Sequence, residues 1–268
     1  MKKVFTLILA LTLVLSLAAC GGNSADDKGI KVGASPAPHA EILEVAAEIL
    51  KEEGYTLEIV TFDDYILPNK SLDAGELDAN YFQHVTYMNN FNEEFGIHMV
   101  NAAGIHYEPF GIYAGKAAAL ADLQDVAKIA VPNDATNEAR ALLLLEQEGL
   151  ITLKEDAGLT ATKVDIAENP HNFDIVETKA ELLPNVLQDV DVAVINGNFA
   201  INAGLKVKDA LAVEAADGAA AEAYVNVIAV NEGNEESEKI QALVKALKSD
   251  KVSQFISSNY EGAVVTVD

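Results

Sequence analysis

The chain has 268 residues, with 42 acidic and 18 basic side chains, a formal charge of −24 and an apolar fraction of 50%. This length and composition are those of a globular protein with one large or two ordinary domains, and they exclude a disordered chain. Binding to nucleic acid depends on many Lys and Arg contacts to phosphates. The acidic balance therefore predicts no nucleic-acid partner.

The first residues are typical of an export signal. Lys2 and Lys3 precede an apolar run from Val4 to Ala19, which is shorter than the ~20 residues of a membrane-spanning helix. The run ends in LAAC, which resembles a bacterial lipobox whose cysteine carries lipid. We predict a lipoprotein signal peptide at 1–19, and at 20–29 a lipidated Cys20 with a flexible polar tether. The protein would then lie at the cell membrane on its extracytoplasmic face. A plain secretory signal with a free cysteine is the alternative.

From Ile30 onward, short β-rich runs alternate with helical periodicity, which predicts an α/β fold with parallel strands. The first unit is a strand at Ile30–Ala34, a helix with apolar positions from Ile42 to Leu50, and a strand at Thr56–Phe62. The later strands are predicted at Asp78–Phe82, Lys128–Pro132, Asp174–Glu177, Asp191–Ile195 and Tyr224–Val230. The later helices are predicted at Leu67–Gly75, at Asn137–Glu148 and, as one long final helix, from Ile240 to Phe255.

These elements could form one doubly wound sheet or two smaller lobes. Two extended, glycine-containing stretches, 104–115 and 197–204, favour two lobes, because a chain that crosses between lobes has such a composition.

Motifs of catalysis are missing from the sequence. There is no GxSxG, GxGxxG, P-loop or HExxH motif, and the five histidines lack metal-ligand spacing. We expect no enzyme activity, no cofactor and no bound metal, although a cell-surface enzyme, an adhesin and a metal-import protein remain alternatives.

Aromatic residues are concentrated in one part of the chain, since ten of the 17 Phe and Tyr lie between Phe62 and Tyr113. Several stand at predicted strand ends and loops beside polar residues, where α/β folds bind ligands. These are Tyr65, Tyr81, Phe82, His84 and Tyr87.

Arg140 is the single arginine among 17 lysines. Thr136 or Asn137 is the predicted N-cap of its helix, which places Arg140 in the first turn. A guanidinium there, together with free helix N–H groups, can bind a carboxylate bidentately. A solvated surface arginine is the alternative.

Several longer segments resemble the NlpA lipoprotein family, whose best-known members are methionine-binding components of ABC importers. The segments are GASPAPHAEIL (33–43), DDYILPNKSLDAGELDANYFQH (63–84), HYEPFGIY (106–113), PNDATNEARALLLLEQEGLI (132–151) and DVAVINGNFAINAGL (191–205). The resemblance implies a two-lobed, type II-like periplasmic-binding-protein fold with a ligand cleft between the lobes. We expect lobe 1 at 30–110 plus 200–268 and lobe 2 at 111–199.

The resemblance also implies function and site. The ligand would be L-methionine or a related amino acid, and the partners an ABC permease with its ATPase and, through the lipid anchor, the membrane. Another small amino acid, a short peptide or a metal ion is the alternative ligand. The motif residues expected to bind the ligand are Tyr65, Phe82, His84, Tyr87, Asn137, Arg140, Asn196 and Asn226.

Overall fold

The structure is a computed structural model that describes residues 28–215 and 222–267. The predicted signal peptide, Cys20 and most of the tether lie outside the described residues. Within the described ranges, no helix combines the length and the apolar character needed to cross a membrane.

The strands and helices alternate along most of the chain, as the periodicity predicts. The strands are β1 (Gly29–Ala34), β2 (Thr56–Thr61), β3 (Ala79–His84), β4 (Met99–Tyr107), β5 (Gly111–Ala114), β6 (Lys128–Pro132), β7 (Thr152–Leu153), β8 (Ile166–Glu168), β9 (Asp174–Thr178), β10 (Val192–Ile195), β11 (Ala212–Val213), β12 (Val225–Asn231) and β13 (Val265–Thr266). The helices are α1 (Glu41–Glu52), α2 (Leu67–Asp73), α3 (Val85–Phe95), α4 (Ala135–Gln147), α5 (Leu183–Val186), α6 (Gly197–Asn202), α7 (Glu238–Leu247) and α8 (Asp250–Asn259). A π-helical turn precedes α1 at Pro36–Ala40, and short 3₁₀ turns occur at Leu120–Asp122, Lys163–Asp165, Ala180–Leu182 and Val207–Asp209.

The strands form two main sheets, each the centre of one lobe. The first lobe is built on the six-stranded sheet β13-β4-β12-β3-β1-β2, and the second lobe on the five-stranded sheet β11-β5-β10-β6-β9. In the first, β1 is parallel to β2 and β3, with Val32 opposite Ile59 and Ala79, whereas β12 is antiparallel to β3 and β4. In the second, β6 is parallel to β9 and β10, and β5 is antiparallel to β10. The expected parallel units are therefore present, and antiparallel strands complete both sheets.

Along the described residues, successive strands of the two main sheets change from one sheet to the other twice, between β4 and β5 and between β11 and β12. The first crossing lies at 108–110, between β4 and β5 and inside the predicted stretch 104–115. The second predicted stretch, 197–204, instead begins with helix α6, and the chain stays with the second sheet through β11, which pairs with β5. A division along the sheets therefore assigns the chain from β5 through Val213 to the second lobe. The prediction returned the chain to the first lobe at residue 200.

The single long final helix of the prediction is wrong. The structure has two helices there, α7 and α8, with a break at Lys248 and Ser249. The Ser249 side chain accepts a hydrogen bond from the backbone N–H of Val252 and so begins a new helix. Serine is a strong N-cap because its oxygen satisfies an otherwise unpaired helix N–H. The apolar spacing continued across the break, which is why periodicity alone did not reveal it.

Candidate functional site

A cavity lies between the two lobes, and residues from both of them line it. The space between its lining atoms, including space open to solvent, is about 330 Å³. All eight predicted ligand-binding residues line this cavity: Tyr65, Phe82, His84, Tyr87, Asn137, Arg140, Asn196 and Asn226. The other lining residues are Gln83, Glu108, Gly197 and Asn198. The structure thus brings the predicted set together, while its role in binding a ligand stays a prediction.

One wall of the cavity is aromatic. The ring of Tyr65 lies 5.7 Å from those of Phe82 and Tyr87 and 4.9 Å from that of Phe199, centroid to centroid. Burial raises the pKa of the Tyr65 hydroxyl well above its usual value, so the hydroxyl keeps its proton and donates to Asn198 Oδ1 at 2.5 Å. The wall is therefore apolar toward the cavity and is fixed at its polar edge.

His84 is held by protein atoms at both ring nitrogens. It caps helix α3, where Nδ1 accepts from the backbone N–H of Tyr87 at 3.0 Å. Nε2 therefore carries the proton and donates to Asn137 Oδ1 at 3.2 Å. Burial, with the nearby charge of Arg140, lowers the pKa of His84 to about 3. The imidazole is neutral at physiological pH, and its role is to connect the first lobe to the second.

The predicted helix start before Arg140 is wrong. Asp134 is the N-cap of α4, and its carboxylate accepts from the backbone N–H of Asn137 at 3.0 Å. Arg140 consequently lies in the second turn and not the first. Asp134 is a stronger N-cap than Thr136 or Asn137, because its carboxylate also accepts a hydrogen bond from Asn137 Nδ2 at 2.9 Å.

Arg140 is buried, and it is already paired with a carboxylate of the chain itself. Its Nε donates to Glu214 Oε1 at 3.0 Å and to Oε2 at 3.1 Å, and its Nη2 donates to Glu214 Oε2 at 2.6 Å. Nη2 also donates to the backbone carbonyl of Glu108 at 2.8 Å. These hydrogen bonds come from Nε and Nη2, and the Tyr107 side chain is a further hydrogen-bond partner of Arg140. A bidentate grip on a ligand through the Nε edge is therefore not available, which leaves Nη1 as the candidate donor to a ligand.

Aromatic rings enclose the guanidinium from other directions. Its central carbon lies 4.2 Å from the ring centroid of Tyr224 and 4.8 Å from that of Phe110. Such cation–π contacts stabilise a desolvated cation. Together with Glu214 they fix the plane of the Arg140 side chain.

Two amide atoms of residues that line the cavity have unused hydrogen-bonding capacity. Asn196 Nδ2 donates to Asn137 Oδ1 at 2.8 Å, but Asn196 Oδ1 is buried without a partner among the described residues. Asn198 Nδ2 is likewise buried and, in the same part of the chain, unpaired. An unpaired buried polar atom costs about 1–3 kcal/mol. A ligand that carries both a donor and an acceptor would satisfy both atoms.

Glu108 is the charged cavity residue that sequence reasoning missed. It stands at the crossing between the sheets, is 5% exposed, and accepts from His106 Nε2 at 2.8 Å through Oε1. The backbone N–H of Asn198 also donates to it. Burial raises the pKa of Glu108, although His39 and Arg140 act in the opposite direction. The available signal was its place as the single acidic residue of HYEPFGIY, but a chain with 42 acidic residues gives such a position little weight.

Two buried histidines lie behind Glu108. His39 Nε2 is 3.3 Å from Glu108 Oε1 and 3.0 Å from Asn226 Oδ1, and His106 Nδ1 is hydrogen-bonded by the Tyr81 hydroxyl. Burial lowers the pKa of His39 to about 4 and that of His106 to about 3, so both rings are neutral. The donor atoms of His39, His106 and Glu108 lie within 4.8 Å of one another and are the group in the described ranges that could hold a metal ion.

Comparison with known proteins agrees with this architecture. A family model described as NlpA lipoprotein matches residues 30–267. The methionine-binding lipoprotein MetQ of Bacillus subtilis is 41% identical over 275 residues, covering 100% of this chain and 99% of that protein. A solved lipoprotein from Ruminococcus gnavus is 58% identical with a TM-score of 0.89, covering 90% of this chain and 100% of the other.

One solved relative carries a ligand. It is a nutrient-binding protein from Burkholderia cenocepacia bound to methionine, 43% identical with a TM-score of 0.85, and the match covers 89% of this chain and 100% of that one. The fold is therefore that of the substrate-binding proteins of this group, and the chain belongs to the NlpA lipoprotein family.

Proposed function

We propose that this protein binds methionine in the cavity between its lobes and delivers it to an ABC transporter. The observation that carries the proposal is the content of the cavity: one guanidinium, one carboxylate, two unpaired amide atoms and an aromatic wall. This set is complementary to an α-amino acid with an apolar side chain. The methionine bound to the Burkholderia cenocepacia relative supports the choice of side chain.

The charges of the cavity support one orientation of the ligand. Its carboxylate faces Nη1 of Arg140 and the amide nitrogen of Asn198, and its ammonium faces Glu108 and Asn196 Oδ1. Because Asn226 Oδ1 already accepts from His39, its amide nitrogen is the part that can reach the ligand.

The side chain of the ligand then lies against Tyr65, Phe82 and Tyr87. A thioether suits this wall because sulfur is polarisable and packs favourably against aromatic rings. Hydrogen bonds to charged groups contribute about 1.5–3 kcal/mol each, whereas micromolar affinity requires about 8 kcal/mol. Both ends of the ligand and its side chain must therefore act together.

The remaining parts of the proposal concern location and partners. Lipid on Cys20 would hold the protein at the extracytoplasmic face of the membrane, and a permease with its ATPase would receive the ligand there. The family membership and the lipoprotein names of the relatives support this arrangement. Because binding and delivery leave the ligand unchanged, we also propose that the protein is not an enzyme.

Calorimetric titration with L-methionine, L-norleucine and L-glutamine tests the ligand. We expect micromolar or tighter binding of methionine, weaker binding of norleucine, which has a methylene in place of sulfur, and no binding of glutamine. Phe82→Leu should weaken methionine binding about fivefold through the lost sulfur–ring contact. Phe91→Leu is the matched control, because Phe91 is equally buried in the first lobe but does not line this cavity. Heat from another amino acid or a short peptide, with none from methionine, would contradict the assignment.

A metal ion is the second candidate, favoured by the convergence of His39, His106 and Glu108. Against it, His106 Nε2 already donates to Glu108 Oε1 at 2.8 Å and His39 Nε2 already donates to Asn226 Oδ1 at 3.0 Å, so protein groups engage both nitrogens. Titration with zinc chloride after EDTA treatment separates the two candidates. Methionine binding that survives EDTA, with no saturable zinc binding, would exclude the metal.

A further inference from the structure

The charges around the cavity do not balance. Arg140 and Glu108 are the charged side chains that line it, yet the charge of Arg140 is already paired with Glu214 through three hydrogen bonds. Glu214 is itself held by the Tyr107 hydroxyl and, at 3.4 Å, by the backbone N–H of Phe110. The guanidinium and its carboxylate together are therefore neutral before any ligand arrives, and they are fixed in place.

Glu108 has no such cationic partner in the described part of the chain. Its side-chain neighbours are the imidazoles of His39 and His106, both neutral at physiological pH because burial lowers the pKa of each. Arg140 approaches only the backbone carbonyl of Glu108. Burial raises the pKa of Glu108, so a cation in the cavity would be the ionic partner that stabilises its charged form.

The mouth of the cleft has the same sign. A wider groove adjoins the cavity at Tyr65 and Tyr87, and its charged lining residues are the anions Asp64, Glu94, Asp134 and Glu181 and the cation Lys179. Acidic side chains thus outnumber the basic one in this groove, and an excess of one sign of charge raises the local concentration of ions of the opposite sign. From its mouth to its base, this cleft favours a positive charge on the ligand.

We infer that the site selects its ligand mainly through the α-ammonium group, and that it accepts a neutral carboxamide in place of the α-carboxylate. The ligand class then includes primary amides of apolar α-amino acids, which are monocations, as well as the amino acids themselves. This inference rests on the proposed function, because it assumes the same cavity and the same side-chain wall.

The reason is the difference between the two ends of the site. The ammonium meets an unpaired carboxylate, Glu108, and a buried unpaired acceptor, Asn196 Oδ1. The other end meets Nη1 of a charge-cancelled arginine and the amide nitrogen of Asn198, which donate to an amide oxygen as well as to a carboxylate oxygen. A primary amide has the shape of a carboxylate, so the replacement needs no additional space.

The test compares L-methionine, L-methioninamide and N-acetyl-L-methionine by calorimetric titration of the wild-type protein. We expect the amide to bind within about tenfold of methionine and the N-acetyl compound to bind at least about a hundredfold more weakly. Methionine binding with the amide a hundredfold weaker overturns the inference and leaves the proposed function intact. Failure of all three compounds to bind refutes the proposed ligand and this inference with it.

A charge variant tests the role assigned to Glu214. Glu214→Gln frees the charge of Arg140 while keeping the size of the side chain, so the affinity ratio of methionine over its amide should rise at least about tenfold. Glu58→Gln is the control. Glu58 lies on strand β2 and forms an exposed ion pair with Lys31 of β1, so this variant removes the same charge far from the pair under test. An unchanged ratio in a folded Glu214→Gln protein overturns the inference. If that variant does not fold, the three-ligand comparison with the wild-type protein still decides.

Discussion

The Arg140–Glu214 pair makes a strong prediction about stability. In Arg140→Met, the carboxylate of Glu214 remains at a position where its side chain is 10% exposed, without the cation that donated three hydrogen bonds to it. Removing one partner of a buried ion pair costs about 3–5 kcal/mol, because the other charge stays desolvated. For a chain of this size, about 1 kcal/mol lowers Tm by roughly 2–4 °C. We therefore expect Tm to fall by about 6–20 °C.

The assay is thermal and urea unfolding of the wild-type protein, the two single variants and the double variant, which together form a double-mutant cycle. The double variant Arg140→Met/Glu214→Gln removes both charges and should be more stable than Arg140→Met alone, since no unpaired ion remains. Lys251→Met is the control, because it breaks an ion pair with Glu48 whose side chains are 54% and 69% exposed, and it should leave Tm nearly unchanged. Equal Tm values for Arg140→Met and this control, or additive effects in the double variant, would refute the account of the pair.

Other predictions concern the base of the cavity and its pH response. Gly197→Ala should weaken methionine binding at least about tenfold, because a Cβ there would lie 2.7 Å from Glu108 Oε2; Gly158→Ala, with nothing within 4 Å, should bind as the wild type does. As the pH falls from 6.5 to about 4, the free energy of unfolding should decrease, because three buried histidines bind protons in the unfolded chain but stay neutral in the folded one. The decrease is at most about 1.4 kcal/mol per pH unit for each histidine. The raised pKa of Glu108 has the opposite effect on stability and so reduces the dependence of the unfolding free energy on pH. A urea midpoint that does not change between pH 7 and pH 5 would contradict the assignment of neutral histidine rings. The three histidines concerned are His39, His84 and His106.

Much of the fold followed from local patterns. Strand β6 has the predicted bounds, and β1, β2 and helix α1 differ from the predicted positions by a residue or so, because their apolar spacing and the glycine after α1 are local signals. Where two local signals competed, prediction failed. Apolar periodicity concealed the serine cap between α7 and α8, and two good caps within PNDATN concealed the better one, Asp134.

The lining of the cavity was predictable from the motifs, but its electrostatics were not. The motif residues indicated the lining, and the structure brings all eight to one cavity. The partner of Arg140 lies 74 residues away, and Glu214 carries no local feature that distinguishes it from 41 other acidic residues. Glu108 was equally hidden, since the groups around it, such as His39 and Gly197, are distant in the sequence. Charge pairing across such separations is decided by tertiary packing, which the local patterns of a single sequence do not reveal.

The hydrogen bonds between the lobes also explain why binding should be coupled to the arrangement of the lobes. Tyr65 and His84 belong to the first lobe and bond Asn198 and Asn137 of the second, so these two hydrogen bonds exist only while the lobes are together. In a separated arrangement, water would reach the amide atoms of Asn196 and Asn198 that are buried and unpaired here. The closed arrangement without ligand therefore carries a cost of about 1–3 kcal/mol for each such atom. A ligand that satisfies both atoms removes that cost only when the lobes are closed, and this differential affinity is what shifts a two-state population.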